Sequence, residues 1–185
     1  TPTLTPQQWL QNLQTAVHLH IPHVSAYCLT VEPKTALQAY IQKGIKSNID
    51  EESAALHFDL LRQTLLQNGY LHYEISNFCL PGFVSRHNSS YWQQQPYLGI
   101  GPSAHSYNQT ERSWNIANNA AYIKAIAQNK LPAQSETLTP QNRFNEYVMT
   151  SLRTSWGCNL QAVQQQFGDI YYQHLLKQSR QYLAQ

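Results

Sequence analysis

The chain has 185 residues, a length that suits one compact domain or one domain with a small appendage. Apolar residues make up 42% of it, enough for a real core, and charged residues only 12%. The net charge is +2 and the basic residues are scattered, so no electrostatic footprint for nucleic acid is visible. No run of about 18 apolar residues is present to span a membrane. The opening Thr1-Pro2-Thr3-Leu4-Thr5-Pro6 has neither the basic stretch nor the apolar region of a signal peptide. Cys28, Cys79 and Cys158 are far apart and form no C-x-x-C pair. That speaks against a zinc ribbon, an iron–sulfur site within this chain and a secreted disulfide framework. Reduced cysteines in an intracellular, cytoplasmic protein are the plain reading.

The first predicted element is a helix, with Thr5 as N-cap, Pro6 at the first helical position and an end near Leu19. His23 to Val31 follows, apolar and without polar alternation, as in a strand buried on both faces of a parallel sheet. A short helix is expected from Thr35 to Lys43. A longer one begins at the N-cap Asp50, with Glu51 and Glu52 in its first turn, and stops at Asn68-Gly69. Tyr70 to Ile75 reads as another strand. Residues 76–114 are rich in aromatic, histidine and glycine residues, as loops that carry function are. Tyr97 to Ile100 and His105 to Tyr107 are candidate short strands within them. Helices are expected again over Ala120–Gln128, from the cap Thr139 to about Arg153, and as a final pair over Asn159–Phe167 and Asp169–Leu183. The expected division is 1–131 and 132–185, the second part being a small helical extension of winged-helix-like kind.

Several stretches carry candidate chemistry. Arg86-His87-Asn88-Ser89-Ser90-Tyr91-Trp92 places an imidazole, an amide and two aromatics within one or two turns. Imidazole ligates haem iron, and aromatic faces pack on porphyrins. The alternative is a loop histidine with an ordinary hydrogen bond and two core aromatics. Glu74 and Asn77 end a predicted strand and either face a ligand, as polar groups at barrel strand ends do, or face solvent. The G-x-G at Gly99-Ile100-Gly101 lacks the context of a dinucleotide site, because Pro102 and a strand-like sequence follow it. Its glycines instead suit close approach of backbone to a ligand or to a neighbouring segment. His20 and His23 flank Pro22, which breaks any shared helical face.

Read in order, these stretches resemble a known family. They are His23-Val24-Ser25-Ala26-Tyr27, Leu29-Thr30-Val31-Glu32-Pro33, Tyr73-Glu74-Ile75-Ser76-Asn77-Phe78, Ser85-Arg86-His87-Asn88 with Tyr91-Trp92, Tyr97-Leu98-Gly99-Ile100-Gly101, Ser103-Ala104-His105-Ser106 and Trp114-Asn115. The series resembles the C-terminal half of the radical S-adenosylmethionine proteins of the oxygen-independent coproporphyrinogen III oxidase family. The HNxxYW stretch is similar to that of its haem-chaperone branch. The resemblance implies an α/β fold, the C-terminal portion of an incomplete (β/α) TIM-type barrel followed by the helical extension. It implies a parent that binds S-adenosylmethionine and a [4Fe–4S] cluster through a C-x3-C-x2-C motif, which this chain lacks. A fragment without those cysteines is not expected to be active alone.

By the same resemblance, Thr30 and His105 are expected to touch S-adenosylmethionine. His87 is expected to be a haem-iron ligand, with Asn88, Tyr91 and Trp92 beside it. Two functions follow: haem binding with transfer to apo-haemoproteins, or radical decarboxylation of coproporphyrinogen III. A half-built barrel is also expected to hide its open sheet edge by self-association.

Overall fold

The computed structural model describes residues 4–48 and 50–183. The chain divides into two compact units, residues 1–85 and 86–185.

The first unit opens with helix α1, Pro6–His18. The Thr5 hydroxyl accepts from the Gln8 amide, and the Gln8 side chain accepts in return from the Thr5 N–H. This closes two of the backbone donors that a helix start leaves open. Strand β1 is His23–Ser25, helix α2 is Ala36–Gln42 behind the cap Thr35, and helix α3 is Glu51–Gln67. Asp50 caps α3. The Ser53 hydroxyl and nearby backbone amides hold its carboxyl below the ordinary range. Strands β2, Leu71–Glu74, and β3, Asn77–Cys79, form a hairpin, and the sheet order is β1-β3-β2, antiparallel throughout.

The core of this unit lies between α1, α3 and the sheet. Leu13, Leu61, Leu65, Tyr70 and Phe78 are buried together, with Trp9, Val17, Val24, Ala26 and Leu80 packed around them. Two polar tips are satisfied on backbone. The Tyr70 hydroxyl donates to the Ile21 carbonyl at 2.6 Å, and Trp9 Nε1–H donates to the His57 carbonyl of α3 at 2.8 Å.

The strand expected over His23–Val31 is shorter than its apolar run. Pairing with β3 ends at Ser25↔Asn77, and one further bond, from the Ala26 N–H to the Ser76 carbonyl, closes the ladder. Beyond that point the hairpin turns away. Tyr27, Cys28, Leu29 and Thr30 are left exposed, without ladder partners among the described residues.

The second unit begins with helix α4, Arg86–Trp92. Strands β4, His105–Tyr107, β5, Glu111–Asn115, and β6, Ala133–Thr137, form an antiparallel sheet in that order. The β4–β5 turn is organised by Asn108, whose Oδ1 accepts from the Glu111 amide at 2.7 Å and the Thr110 amide at 3.1 Å. Helix α5, Asn119–Ile126, connects β5 to β6. Strand β6, which pairs with β5 along its whole length, lies just past the division expected between 131 and 132.

Three helices follow: α6, Pro140–Ser151, α7, Leu160–Phe167, and α8, Asp169–Leu183. Phe144 of α6 lies 5.6 Å from the Phe167 ring and 4.8 Å from the Tyr171 ring, an aromatic seam joining all three. Arg112 of β5 reaches Glu146 of α6 at 2.9 Å and Glu136 of β6 at 3.7 Å, tying sheet to helix. The Thr139 hydroxyl accepts from the Asn142 amide at 3.1 Å. Thr139→Ala is expected to lower stability by about 1 kcal/mol, read as a shift in the urea midpoint at unchanged slope.

Candidate functional site

Helix α4 carries the expected haem residues. It is a single seven-residue element, so packing must hold it, since isolated helices this short do not persist in water. Ser89 is buried on its inner side, and no hydrogen-bond partner reaches the Ser89 hydroxyl among the described residues. His87 and Tyr91 stand four residues apart, one turn along the same face. Both are exposed, and their rings meet edge to face, with centroids 5.0 Å apart at 89°. No hydrogen bond occupies the His87 ring nitrogens among the described residues.

Asn88 is half-buried beside them. Trp92 turns to other company: the Arg153 guanidinium lies 5.5 Å from its ring centroid, within cation–π range. The structure therefore joins His87 to Tyr91 and engages Trp92 with Arg153.

The aromatic contacts continue past α4. Tyr91 meets Tyr97 at 4.8 Å and 71°, and Tyr97 meets Tyr107 of β4 at 6.0 Å. Tyr97 and Tyr107 exchange both backbone hydrogen bonds at 2.9 Å. Tyr107 is buried, and its phenol is pushed up by that burial and further by the Glu146 charge. After Tyr97 the chain is clamped to β4 and β5. The Gly99 N–H donates to Ser106 Oγ at 2.9 Å, and Asn115 Nδ2–H donates to the Gly101 carbonyl at 2.8 Å.

Of the expected S-adenosylmethionine contacts, His105 is exposed on β4, its ring 6.3 Å from that of its cross-strand partner Trp114. Thr30 belongs to the first unit, where its exposed hydroxyl donates to Glu32 Oε1 at 3.2 Å. Just before it, Cys28 and Leu29 line a groove of about 440 Å³ with Trp9, Val24, His57 and Leu61, among others. Glu74 and Asn77 are not at the surface. Both are buried, and they bond each other: Asn77 Nδ2–H donates to Glu74 Oε1, and Asn77 Oδ1 accepts from the Ser25 hydroxyl at 2.5 Å.

Among the described residues, no three His, Cys, Asp or Glu side chains gather as a metal-binding group. The cysteines differ in setting: Cys28 is exposed, Cys79 buried and Cys158 half-buried.

No family model matches the chain. It is 34% identical over 161 residues to a protein named haem chaperone HemW from Mycobacterium tuberculosis, covering 86% of this chain and 41% of the relative. It is 32% identical over 168 residues to the Bacillus subtilis protein of the same name, covering 88% and 44%. The chain is a homologue of the HemW proteins. A mouse protein named radical S-adenosyl methionine domain-containing protein 1, mitochondrial, is 41% identical over 104 residues, covering 56% of this chain and 24% of the relative. Among solved structures, the radical SAM enzyme coproporphyrinogen III oxidase (HemN) of Escherichia coli matches with a TM-score of 0.72 at 16% identity, over 99% of this chain and 46% of that one. The α/β fold is thus that of part of a TIM-type radical SAM protein. The chain spans less than half the length of these HemW relatives.

Sequence reading set His87 and Tyr91 one turn apart, and the structure brings their rings into contact. That reading gave no part to Tyr97 and Tyr107, whose signal was a tyrosine at each of two short strand-like stretches.

Proposed function

We propose that this chain is the haem-binding part of a HemW-type haem chaperone, with His87 as the iron ligand and Tyr91 against the porphyrin edge. The observation that carries this is the His87–Tyr91 pair on α4, an exposed imidazole whose ring nitrogens have no hydrogen-bond partner among the described residues and an aromatic edge at 5.0 Å. Those donors suit a haem iron and the apolar ring around it. Haem is cargo in this reading, to be passed to apo-haemoproteins; Asn88 stands beside the pair, and Trp92, held by Arg153, flanks it on the same helix. The names of the homologues support it.

Thr30 and His105, each in its own unit, are the residues that the family resemblance offers to S-adenosylmethionine in the intact parent; one presents an exposed hydroxyl and the other an exposed imidazole. A [4Fe–4S] cluster would be held elsewhere in that parent, because the cysteines of this chain sit in unlike settings and form no ligand group among the described residues. No helix among the described residues is long and apolar enough to cross a membrane. The oxidase alternative, decarboxylation of coproporphyrinogen III, draws on the fold match at 16% identity.

The test is a haemin titration of the chain and of His87→Ala, followed by the Soret band. The wild-type chain is expected to give a saturable, shifted Soret. The variant is expected to bind at least about tenfold more weakly, given that loss of even an outer partner of a metal-bound histidine costs about 10–100-fold. Equal binding by both would sink the proposal.

A further inference from the structure

A ligating imidazole must be held in orientation as well as in place. His87 stands on an exposed face of a helix of seven residues, and its ring meets the Tyr91 ring edge to face. Tyr91 is itself 43% exposed, so α4 alone gives it little support. The support comes from outside the helix, through the edge-on contact of Tyr97 at 4.8 Å. Tyr97 is well placed for that task. Its backbone is doubly bonded to Tyr107, its ring lies 6.0 Å from the Tyr107 ring, and Tyr107 is only 8% exposed. The segment after it is clamped by Ser106 and Asn115. A buried strand residue thus supports a half-exposed ring, which supports an exposed one.

We propose that Tyr97 is a positioning residue that fixes the plane of the His87 imidazole through Tyr91. The inference rests on the haem reading above and adds a residue which that reading does not contain. The contact is made by the ring, so phenylalanine should replace Tyr97 without effect. Valine keeps the β-bridge backbone but removes the ring.

The experiment uses the full 185-residue chain with haemin. Ferric low-temperature EPR and the Soret titration are recorded for wild type, Tyr97→Phe, Tyr97→Val and His87→Ala. Tyr97→Phe is expected to match wild type. Tyr97→Val is expected to bind about fivefold more weakly, the scale of one aromatic pair, with a broadened ferric signal as the imidazole plane samples more orientations. A merely structural Tyr97 would change the melting temperature but not that line shape.

A wild-type signal and affinity in Tyr97→Val, with binding lost in His87→Ala, overturns the inference and leaves the haem reading standing. Full binding by His87→Ala overturns both. Should Tyr97→Val lose its circular-dichroism signal, Tyr97→Leu fills more of the ring's volume at the bridge and still removes the edge contact to Tyr91. A broadened signal there supports the inference, and a sharp wild-type signal overturns it.

Discussion

Gly99→Ala is expected to destabilise the second unit by about 3 kcal/mol or more, the upper range for forcing atoms into occupied space. The cause is local. A Cβ on Gly99 would stand 2.1 Å from the His105 carbonyl oxygen and 2.6 Å from its carbon. These are backbone atoms of β4, so no rotamer change relieves the clash. The segment would have to lift from β4, breaking the bond from the Gly99 N–H to Ser106 Oγ and straining the Tyr97–Tyr107 bridge two residues away. Equilibrium denaturation by urea checks this, and a midpoint within error of wild type would show that the segment is not clamped as described. The G-x-G therefore answers one question left open by its sequence: Gly99 admits a neighbouring chain segment.

Asn77→Asp is expected to cost about 3–5 kcal/mol at neutral pH, the range for an uncompensated charge inside a protein. Asn77 is 2% exposed and Glu74 is 5% exposed, and the amide donates directly to the carboxylate. Aspartate keeps the shape and can keep the Ser25 hydroxyl, but it replaces the donor with a second carboxylate. The sign of the pH dependence follows from linkage. The folded variant would hold a proton between the two groups at a pH where the unfolded chain has released it, so its stability falls as pH rises above the carboxylate range and recovers as pH falls. Denaturation midpoints at pH 5 and pH 8 measure it. A variant equally stable at both would show that the pair opens to water.

Helix starts were legible because caps are local chemistry. Thr5 with Pro6, Asp50, and Thr139 with Pro140 each stand at the observed boundary. Strands were legible only where a partner agreed with the pattern. The apolar run from His23 to Val31 suggested one long strand, yet β3 is only Asn77–Cys79, and the length of a ladder belongs to the pair. Strand β6 is exposed at every position and polar after Ala133, so nothing in Ala133–Thr137 shows alternation. Only β5 reveals it. Helix α4 lacks an apolar period, because Ser89 rather than a large side chain is what it buries.

The candidate site divides in the same way. His87 and Tyr91 share a face by spacing alone, whereas the contact of Tyr91 with Tyr97 depends on where the chain returns after its Gln93-Gln94-Gln95 run. Glu74 and Asn77 read as ends of a strand open to ligand or water. Their burial depends on a hairpin whose turn begins directly after Glu74.

The hydrogen bond from the Trp9 indole to the His57 carbonyl gives the chain an optical property. The other tryptophans, Trp92, Trp114 and Trp156, all belong to the second unit. Trp9 is thus the single indole fluorophore of the first, pinned between α1 and α3 with its N–H on a helix carbonyl. When α1 leaves α3, that indole passes from a fixed dipole and apolar walls into relaxing solvent, and its emission moves to the red. With phenylalanine at the other three positions, one wavelength would follow the opening of the first unit and remain blind to the second.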